Sequence, residues 1–513
     1  MNSTNGEEAT PEALNALDIS TLVLYFLVLA AIAVWSSRKQ TSTTDSYFLA
    51  GKHVGFLPVA ASLLCSNIGS EHLVGLAASG ATNGIAVAWF EWGACLPLLA
   101  LGFVFLPLYV HINLSTMPEY VERRFGRNTK LFVVFISIFL YVLTKIAATL
   151  YAGIIILQTI VDVNEWLVVA FLILGTGMYA IGGGLEAVVY SEVLQTLVLL
   201  SGGVLLAVEA MREVGGLDGL RDTLPRSHLR LMRSDGDLPA SALLTGYWVL
   251  SLWYWATDQV IVQRTLAAAD IRHGRLSCVV AGMLKMSTPF LMVLPGMAAR
   301  VLMDRDGVLA IDAEDPSTKL LNRAYPYIVL RVLPKGLHGV IIAAAVSSLM
   351  SSLASVLNSS ATIFTLDVYK RLRPTASDRR LVWVGRVTVA VICIASLLWL
   401  PIIPLLGDDL FVYIQKPPAC VAPGILCVFV WGAFSMRANS NGALAALAIG
   451  TSVGALRFFM EVGDAISTSG KYDSTDSSLG WFVQVHFLHF AALQFLLCSA
   501  VMFGVSWWKP DGD

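Results

Sequence analysis

Residues 54–80 read VGFLPVAASLLCSNIGSEHLVGLAASG, an apolar run interrupted at its middle by Ser66, Asn67, Ser70, Glu71 and His72. A membrane helix takes about 20 apolar residues. Polar groups at its centre are costly and mark either a site or an internal pair. Backbone that unwinds at such a point frees carbonyl oxygens able to bind a cation, and it is tolerated at membrane depth only beside protein or a wet cavity. A second stretch has the same character. Residues 243–264, LLTGYWVLSLWYWATDQVIVQR, place Gly246 early and a Trp-Tyr-Trp cluster just before Thr257-Asp258. Paired interrupted helices in corresponding halves of a chain indicate a transporter site between them. The competing reading is that glycine and polar residues only kink two packed helices.

The rest of the chain supports a membrane setting. It has 513 residues, 56% hydrophobic and 14% charged, with mean hydropathy +0.70. Soluble domains carry about 25% charged residues, so a deficit over this length excludes an ordinary soluble enzyme. Disorder needs the opposite balance, low hydrophobicity and high charge. A formal net charge of −2 leaves no basic surplus for nucleic acid. The apolar runs lack the period-2 alternation of barrel strands, so the fold class is an all-α polytopic membrane protein. Cys65, Cys95, Cys278, Cys393, Cys420, Cys427 and Cys498 all fall inside these runs. They read as small buried hydrophobes, with neither a disulfide framework nor metal-ligand spacing. The N-terminus is polar and acidic and lacks the basic region of a signal peptide.

About 13 transmembrane helices are expected, starting near Thr21, Gly55, Gly84, Leu131, Trp166, Ala187, Ser241, Leu276, Gly339, Leu381, Leu410, Asn441 and Trp481. Lysines and arginines in short loops set orientation. Arg38, Lys39 and Lys52, then Arg123, Arg124, Arg127 and Lys130, then Arg264, Arg272 and Arg275, then Lys370 to Arg380 all share one face if each span crosses once. That face is expected to be cytoplasmic, in the plasma membrane. Residues 1–20 then form an extracellular tail, 21–508 a single transmembrane domain, and 509–513 a cytoplasmic tail. The loop from Arg212 to Ala240 fits poorly, because it puts five arginines outside. Asn2-Ser3-Thr4 forms a glycosylation sequon on the outer side.

Three ionisable residues lie inside spans: Glu91, Lys145 and Lys285. A buried carboxylate and ammonium can pair and present hydrogen bonds to a polyhydroxylated ligand. Glu91 and Lys285 are read as ligand contacts, and Lys145 as half of an ion pair that fixes helix register. Ser348, Ser351, Ser352, Ser355 and Ser359 share one helical face. Their hydroxyls suit a hard monovalent cation, or equally a close helix contact. Trp253, Tyr254 and Trp255 can stack on a sugar ring or form an interfacial belt.

Several segments, taken in order, resemble the sodium/glucose cotransporters of the sodium:solute symporter family. They are DSYFLAGK, SNIGSEHLVGLAASGA, AWFEW, TMPEYVERRFG, GGLEAVVYSEVLQT, LWYWATDQVIVQR and SSLMSSLASVLNSSATIFTLDVY. The resemblance is collinear from about Ser46 to Asp367 and continues weakly to about Lys509, and it is closer to the sugar and polyol branch than to others. It implies a LeuT-like inverted five-plus-five helix repeat with flanking helices, the first repeat about 55–211 and the second about 241–436. It also implies alternating access around a midplane site. By position, sodium would be bound by backbone carbonyls of Cys65 and Ile68 and by Ser348, Ser351 and Ser352. Sugar would be bound by Asn67, His72, Glu91, Ser251, Tyr254, Trp255, Lys285 and Gln415. Phe90 would gate the outer side and Tyr254 the inner.

This chain departs from the family pattern in places. Ser251 replaces a Thr and keeps the hydroxyl, Thr149 replaces a carboxylate, and Glu192 stands where the family usually has Asp. Ala354 stands where members coupling two sodium ions tend to have a hydroxyl. In FVYIQKPPACVAPG, Lys416 follows Gln415 directly and two prolines follow at once, so about a turn of helix is missing. The expected function is sodium-coupled symport of a glucose-like hexose, with Na+ as coupling ion, no other cofactor, and no enzymatic activity. The alternatives are a myo-inositol or other polyol symporter and a sugar-gated sensor that moves no sugar.

Overall fold

The computed structural model describes residues 15–39, 50–69, 71–160, 163–234, 238–309, 318–403, 410–468 and 480–509. Ser70, the sequon, most of both tails and most of DSYFLAGK lie outside the described residues. Among the described residues there is no strand, only an isolated bridge between Val54 and Ala268. Nine helices there are long and apolar enough to cross a bilayer, and shorter apolar helices occupy Ala16–Ile32, Phe56–Asn67 and Glu165–Gly177.

Many expected starts coincide with helix starts, as at Phe56, Glu165, Ala240, Leu410 and Ser440. Two junctions differ. The span expected from Gly84 begins inside the run Glu71–His111. There Gly84 turns the chain with φ 72°, and a Cβ on it would lie 2.2 Å from the His228 carbonyl. Only glycine satisfies both conditions. The spans expected from Trp166 and Ala187 join in one helical run, Glu165–Val214. That run cannot be straight. Gly175 abuts the Met350 side chain while Glu192 accepts from Ser351, yet 17 residues of straight helix would separate them by about 25 Å. The chain bends back between them, where Gly182-Gly183-Gly184 occurs.

The charge distribution is that of a protein solvated by lipid. Leu27, Phe135, Leu174, Leu398 and Phe459 are largely exposed, whereas Glu192, Arg264 and Lys285 are at most 1% exposed. At the centre stands Leu337–Thr362, here called the serine helix, buried along almost all its length. The broken helix (Phe56–Asn67, then a π-helical turn Glu71–Leu76), the Glu165–Val214 run and Ala16–Lys39 pack on it. Gly246–Ala256, the tryptophan helix, and Leu410–Phe434, the proline helix, close the other side. In the arginine-rich loop Arg233 donates to the Asn83 carbonyl at 3.1 Å, Arg212 pairs with Glu209 and Arg221 with Asp218. One of these bonds reaches another element and two are local, exposed i,i+3 pairs.

Candidate functional site

The Phe56–Asn67 helix ends where it does because the amides that follow leave the helical register. The Gly69 amide turns to the Asn67 carbonyl at 2.9 Å, and the His72 amide to the Gly69 carbonyl at 3.1 Å. The Cys65 and Ile68 carbonyls therefore lose the amides four residues on that a continuous helix would supply. The serine helix faces this break. Ser348 donates to the Ile68 carbonyl, and Ser352 to the Ser66 carbonyl at 3.4 Å. A Cβ on Gly69 would strike Ser352 Oγ at 2.4 Å, so glycine permits this approach. Freed carbonyls and neutral hydroxyls together form a donor set for a hard monovalent cation.

The hydroxyl stripe does not act as one face. Ser351 donates to Glu192 at 2.6 Å and Ser355 to the same oxygen at 3.3 Å, while Ser359 donates to Gln263 at 2.9 Å. Of the three serines expected at sodium, Ser348 and Ser352 meet the break and Ser351 turns to the carboxylate. The Cys65 thiol also turns away, to Gln195 at 3.1 Å, which leaves its carbonyl as the expected contact. Glu192 is held further by Ser62 and by the Arg264 guanidinium at 3.4 Å. Both members of that ion pair are wholly buried. Their sequence neighbours gave no sign that they meet.

Beside the break lies a cavity enclosing about 680 Å³, a figure that includes the open space at its mouth. Asn67, His72, Glu91, Ser251, Tyr254, Trp255, Lys285 and Gln415, the eight residues expected at sugar, all line it. They converge from five helical segments. Lys285 bonds Glu91, the Asn67 side-chain oxygen at 2.5 Å and His72 Nε2 at 3.1 Å. His72 reaches Glu91 at 3.0 Å, and Asn67 donates to the Tyr254 hydroxyl at 3.0 Å. The Lys285 ammonium lies 5.6 Å from the Trp255 ring centre. The groups form one connected cluster, in which His72 Nε2 serves either Glu91 or Lys285 according to its tautomer and His72 Nδ1 is buried without a partner.

Aromatic rings contribute to the cavity lining. Phe90 packs edge-on against Tyr247 at 5.2 Å and Phe411 at 5.0 Å. Tyr254, also on the lining, lies under the Lys145 ammonium, 4.5 Å from its ring centre. Lys145 does form an ion pair, with fully buried Asp258, as its reading anticipated. It also faces the cavity, which that reading did not include. A smaller cavity lined by Ser66, Gly69, Glu71, Lys145, Tyr254 and Ser352 adjoins the serine contacts. It shares Asn67, Glu71, Lys145 and Tyr254 with the large one, so the two candidate sites touch through the same side chains.

The short segment after Gln415 stays helical, with Pro417, Pro418 and Pro423 inside Leu410–Phe434. Gln415 lines the cavity and Lys416 does not. Sequence reading missed Glu71, Thr144, Tyr247, Phe411, Ile414 and Pro418 as lining residues. Glu71 carried a signal, being acidic beside the break. Tyr247 and Phe411 carried none, since an aromatic in an apolar span reads as packing. The seven cysteines form no disulfides, and no His, Cys, Asp and Glu cluster suited to a metal occurs among the described residues.

Comparison with known proteins adds to this geometry. The model of the sodium:solute symporter family matches residues 47–450. A sodium/myo-inositol cotransporter 2 of Bos taurus is 39% identical over 529 residues, covering 98% of this chain and 78% of the relative. A sodium/mannose cotransporter of Bos taurus is 38% identical, covering 99% of this chain and 89% of the relative. A sodium/glucose cotransporter 2 of Rattus norvegicus is 38% identical, covering 95% and 78%. Among solved structures, a Na+-coupled sialic acid symporter in a substrate-bound outward-open state superposes with TM-score 0.79 at 19% identity, covering 96% of this chain and 98% of that one. A manganese transporter of Eremococcus coleocola superposes with TM-score 0.53 at 11% identity, covering 87% and 94%. At such identities the superpositions show the fold alone, a LeuT-like transporter architecture.

Proposed function

This chain belongs to the sodium:solute symporter family, and from that premise we propose that it carries a glucose-like hexose into the cell with sodium, by alternating access. The observation that carries the reading is the contact between two donor sets. The serine helix meets the freed carbonyls of the broken helix, and Asn67, at the end of that same helix, already belongs to the cavity network. An ion seated between Cys65, Ile68, Ser348 and Ser352 would tie the two helices together, with Ser351 free to join on leaving Glu192. It would hold Asn67 and His72 in place for sugar. A ligand shifts a conformational equilibrium only through its different affinities for the two states. Sodium would meet that condition if the two helices that supply its donors part in one of the states.

Sugar hydroxyls would bond Asn67, His72, Glu91, Ser251, Lys285 and Gln415, and the ring's apolar face would lie on Tyr254 and Trp255. Phe90 would screen the outer mouth and Tyr254 the inner. One charge crossing 100 mV is worth about 2.3 kcal/mol, and a tenfold sodium gradient adds about 1.4 kcal/mol. One ion therefore sustains a sugar gradient on the order of several-hundred-fold by these figures. The second reading, myo-inositol or another cyclic polyol, is favoured by the names of the relatives from Bos taurus, Sus scrofa and Mus musculus, sodium/myo-inositol cotransporter 2.

The test is uptake of labelled glucose, galactose, mannose, fructose and myo-inositol by proteoliposomes, with and without sodium. Sodium-dependent accumulation of a hexose above myo-inositol is the expected result. The reverse order selects the polyol reading. Sodium-independent uptake refutes coupling, and current without accumulation marks a sensor.

A further inference from the structure

A helical carbonyl accepts from the amide four residues on, or three residues on in a tighter turn. In the proline helix the Ile414 carbonyl has neither, because those positions are Pro418 and Pro417 and proline carries no N–H. No other carbonyl of this helix loses both. Tyr413 keeps the Lys416 amide three residues on, and Ala419, four residues before Pro423, keeps that of Ala422. Buried carbonyls left unpaired are rare in native proteins and cost about 1–3 kcal/mol.

The position of this carbonyl is informative. Ile414 and Pro418 stand one turn apart on the same strip, and both line the large cavity, flanked by Phe411 and Gln415. A helical carbonyl is directed along its own strip toward the residue four on, so the Ile414 oxygen lies on the cavity side of the helix. The strip is also fixed in place. A Cβ on Gly75 of the broken helix would stand 3.2 Å from the Phe411 Cα, so the two backbones are in contact just above Ile414.

We propose that the Ile414 backbone carbonyl is a substrate contact, accepting a hydrogen bond from one hydroxyl of the bound sugar or polyol. Pro417 and Pro418 keep it free for that purpose. The proposal rests on the reading of the cavity as the sugar site. A carbonyl oxygen can only accept, so it selects a substrate with a free O–H at that carbon and rejects a deoxy, fluoro or methoxy group there. It also gives the Pro-Pro pair a role in specificity that no side chain at 417 or 418 could fill.

Pro418→Ala supplies an amide that recaptures the Ile414 carbonyl, and Pro417→Ala does so from three residues on. Pro423→Ala alters the same helix without adding a donor for Ile414. Each protein is reconstituted and assayed for sodium-dependent uptake of the preferred substrate and its full set of monodeoxy analogues. Pro418→Ala is expected to raise the half-saturation concentration of the parent substrate about tenfold, equivalent to about 1.4 kcal/mol. It should also abolish the discrimination against one particular deoxy analogue, while Pro423→Ala keeps the wild-type pattern. If Pro418→Ala discriminates among all the analogues as the wild type does, the contact does not exist. Where Pro418→Ala fails to insert, Pro417→Ala carries the same comparison. Absence of sodium-dependent uptake by the wild type would refute the transport reading instead, and equilibrium binding of the same analogues to purified wild type and variant then decides the carbonyl contact separately.

Discussion

The Ser348 hydroxyl donates to the Ile68 carbonyl although 280 residues separate them. It joins the serine helix to the point where the broken helix comes undone. A cation there would displace the hydroxyl proton from that carbonyl and bind both oxygens. Replacing Ser348 or Ser352 with alanine removes one neutral oxygen from the donor set, a loss of about 1–1.5 kcal/mol. The sodium concentration for half-maximal uptake should rise about tenfold, with the sugar half-saturation at saturating sodium nearly unchanged. Uptake kinetics at varied sodium check this. A change confined to sugar affinity would mean the serines serve packing.

How much of this was legible beforehand depended on the kind of signal. Asn67, His72, Glu91 and Lys285 stood out because polar groups at membrane depth are rare, and the cavity brings all four together. The break could be read from the same residues, since no continuous apolar helix needs Ser-Asn-x-x-Ser-Glu-His at its centre. The partition of the serines could not be read. Ser348, Ser351 and Ser352 share a face in a helical projection, yet that face spans two neighbours, and only the fold shows Glu192 taking Ser351. Asp258 lies 113 residues from Lys145, and no local pattern encodes that pairing. The Glu165–Val214 bend and the Gly84 turn depend likewise on contacts from Met350 and His228, which arrive from elsewhere in the chain.

The Glu91–Lys285 pair is 5% and 1% exposed at its side chains. Removing one partner of a buried pair strands the other and costs about 3–5 kcal/mol. Lys285→Met should therefore lower the thermal midpoint of detergent-purified protein sharply. Adding Glu91→Gln should recover most of that loss, since no uncompensated charge remains. Transport should stay absent in the double variant, because the sugar's charged partners are gone. Recovered transport would show that the pair is structural.

Glu192 already satisfies its carboxylate with Ser62, Ser351, Ser355 and Arg264. A guanidinium 3.4 Å away supplies the positive charge that a second cation would otherwise bring, and like charges repel strongly at low dielectric. Val188, one turn before Glu192, packs with Ala354 in a small buried apolar cluster. The expected stoichiometry is one sodium per sugar. Simultaneous measurement of charge and labelled sugar should give one elementary charge per molecule, and a ratio of two would overturn this argument.

His228 sits outside the membrane-spanning helices, where its loop covers the Gly84 turn. Burial lowers its pKa first, and the charges of Arg300 and Arg233 lower it further, to about 4 from the usual 6.5. Its Nε2 lies 3.3 Å from Arg300, which donates to it while the ring is neutral. The folded-state pKa is below the unfolded one, so the folded protein binds fewer protons between these values. Stability from this group is then fully present above pH 6.5 and declines as pH falls toward about 4. Below that the loss stops growing, because both states are protonated. His228→Gln keeps a neutral polar side chain and removes the titration. Thermal midpoints of wild type and variant, measured every half unit of pH, should diverge between about 6.5 and 4, with the wild type falling faster. Parallel curves over that window would mean that the loop releases His228 before it protonates.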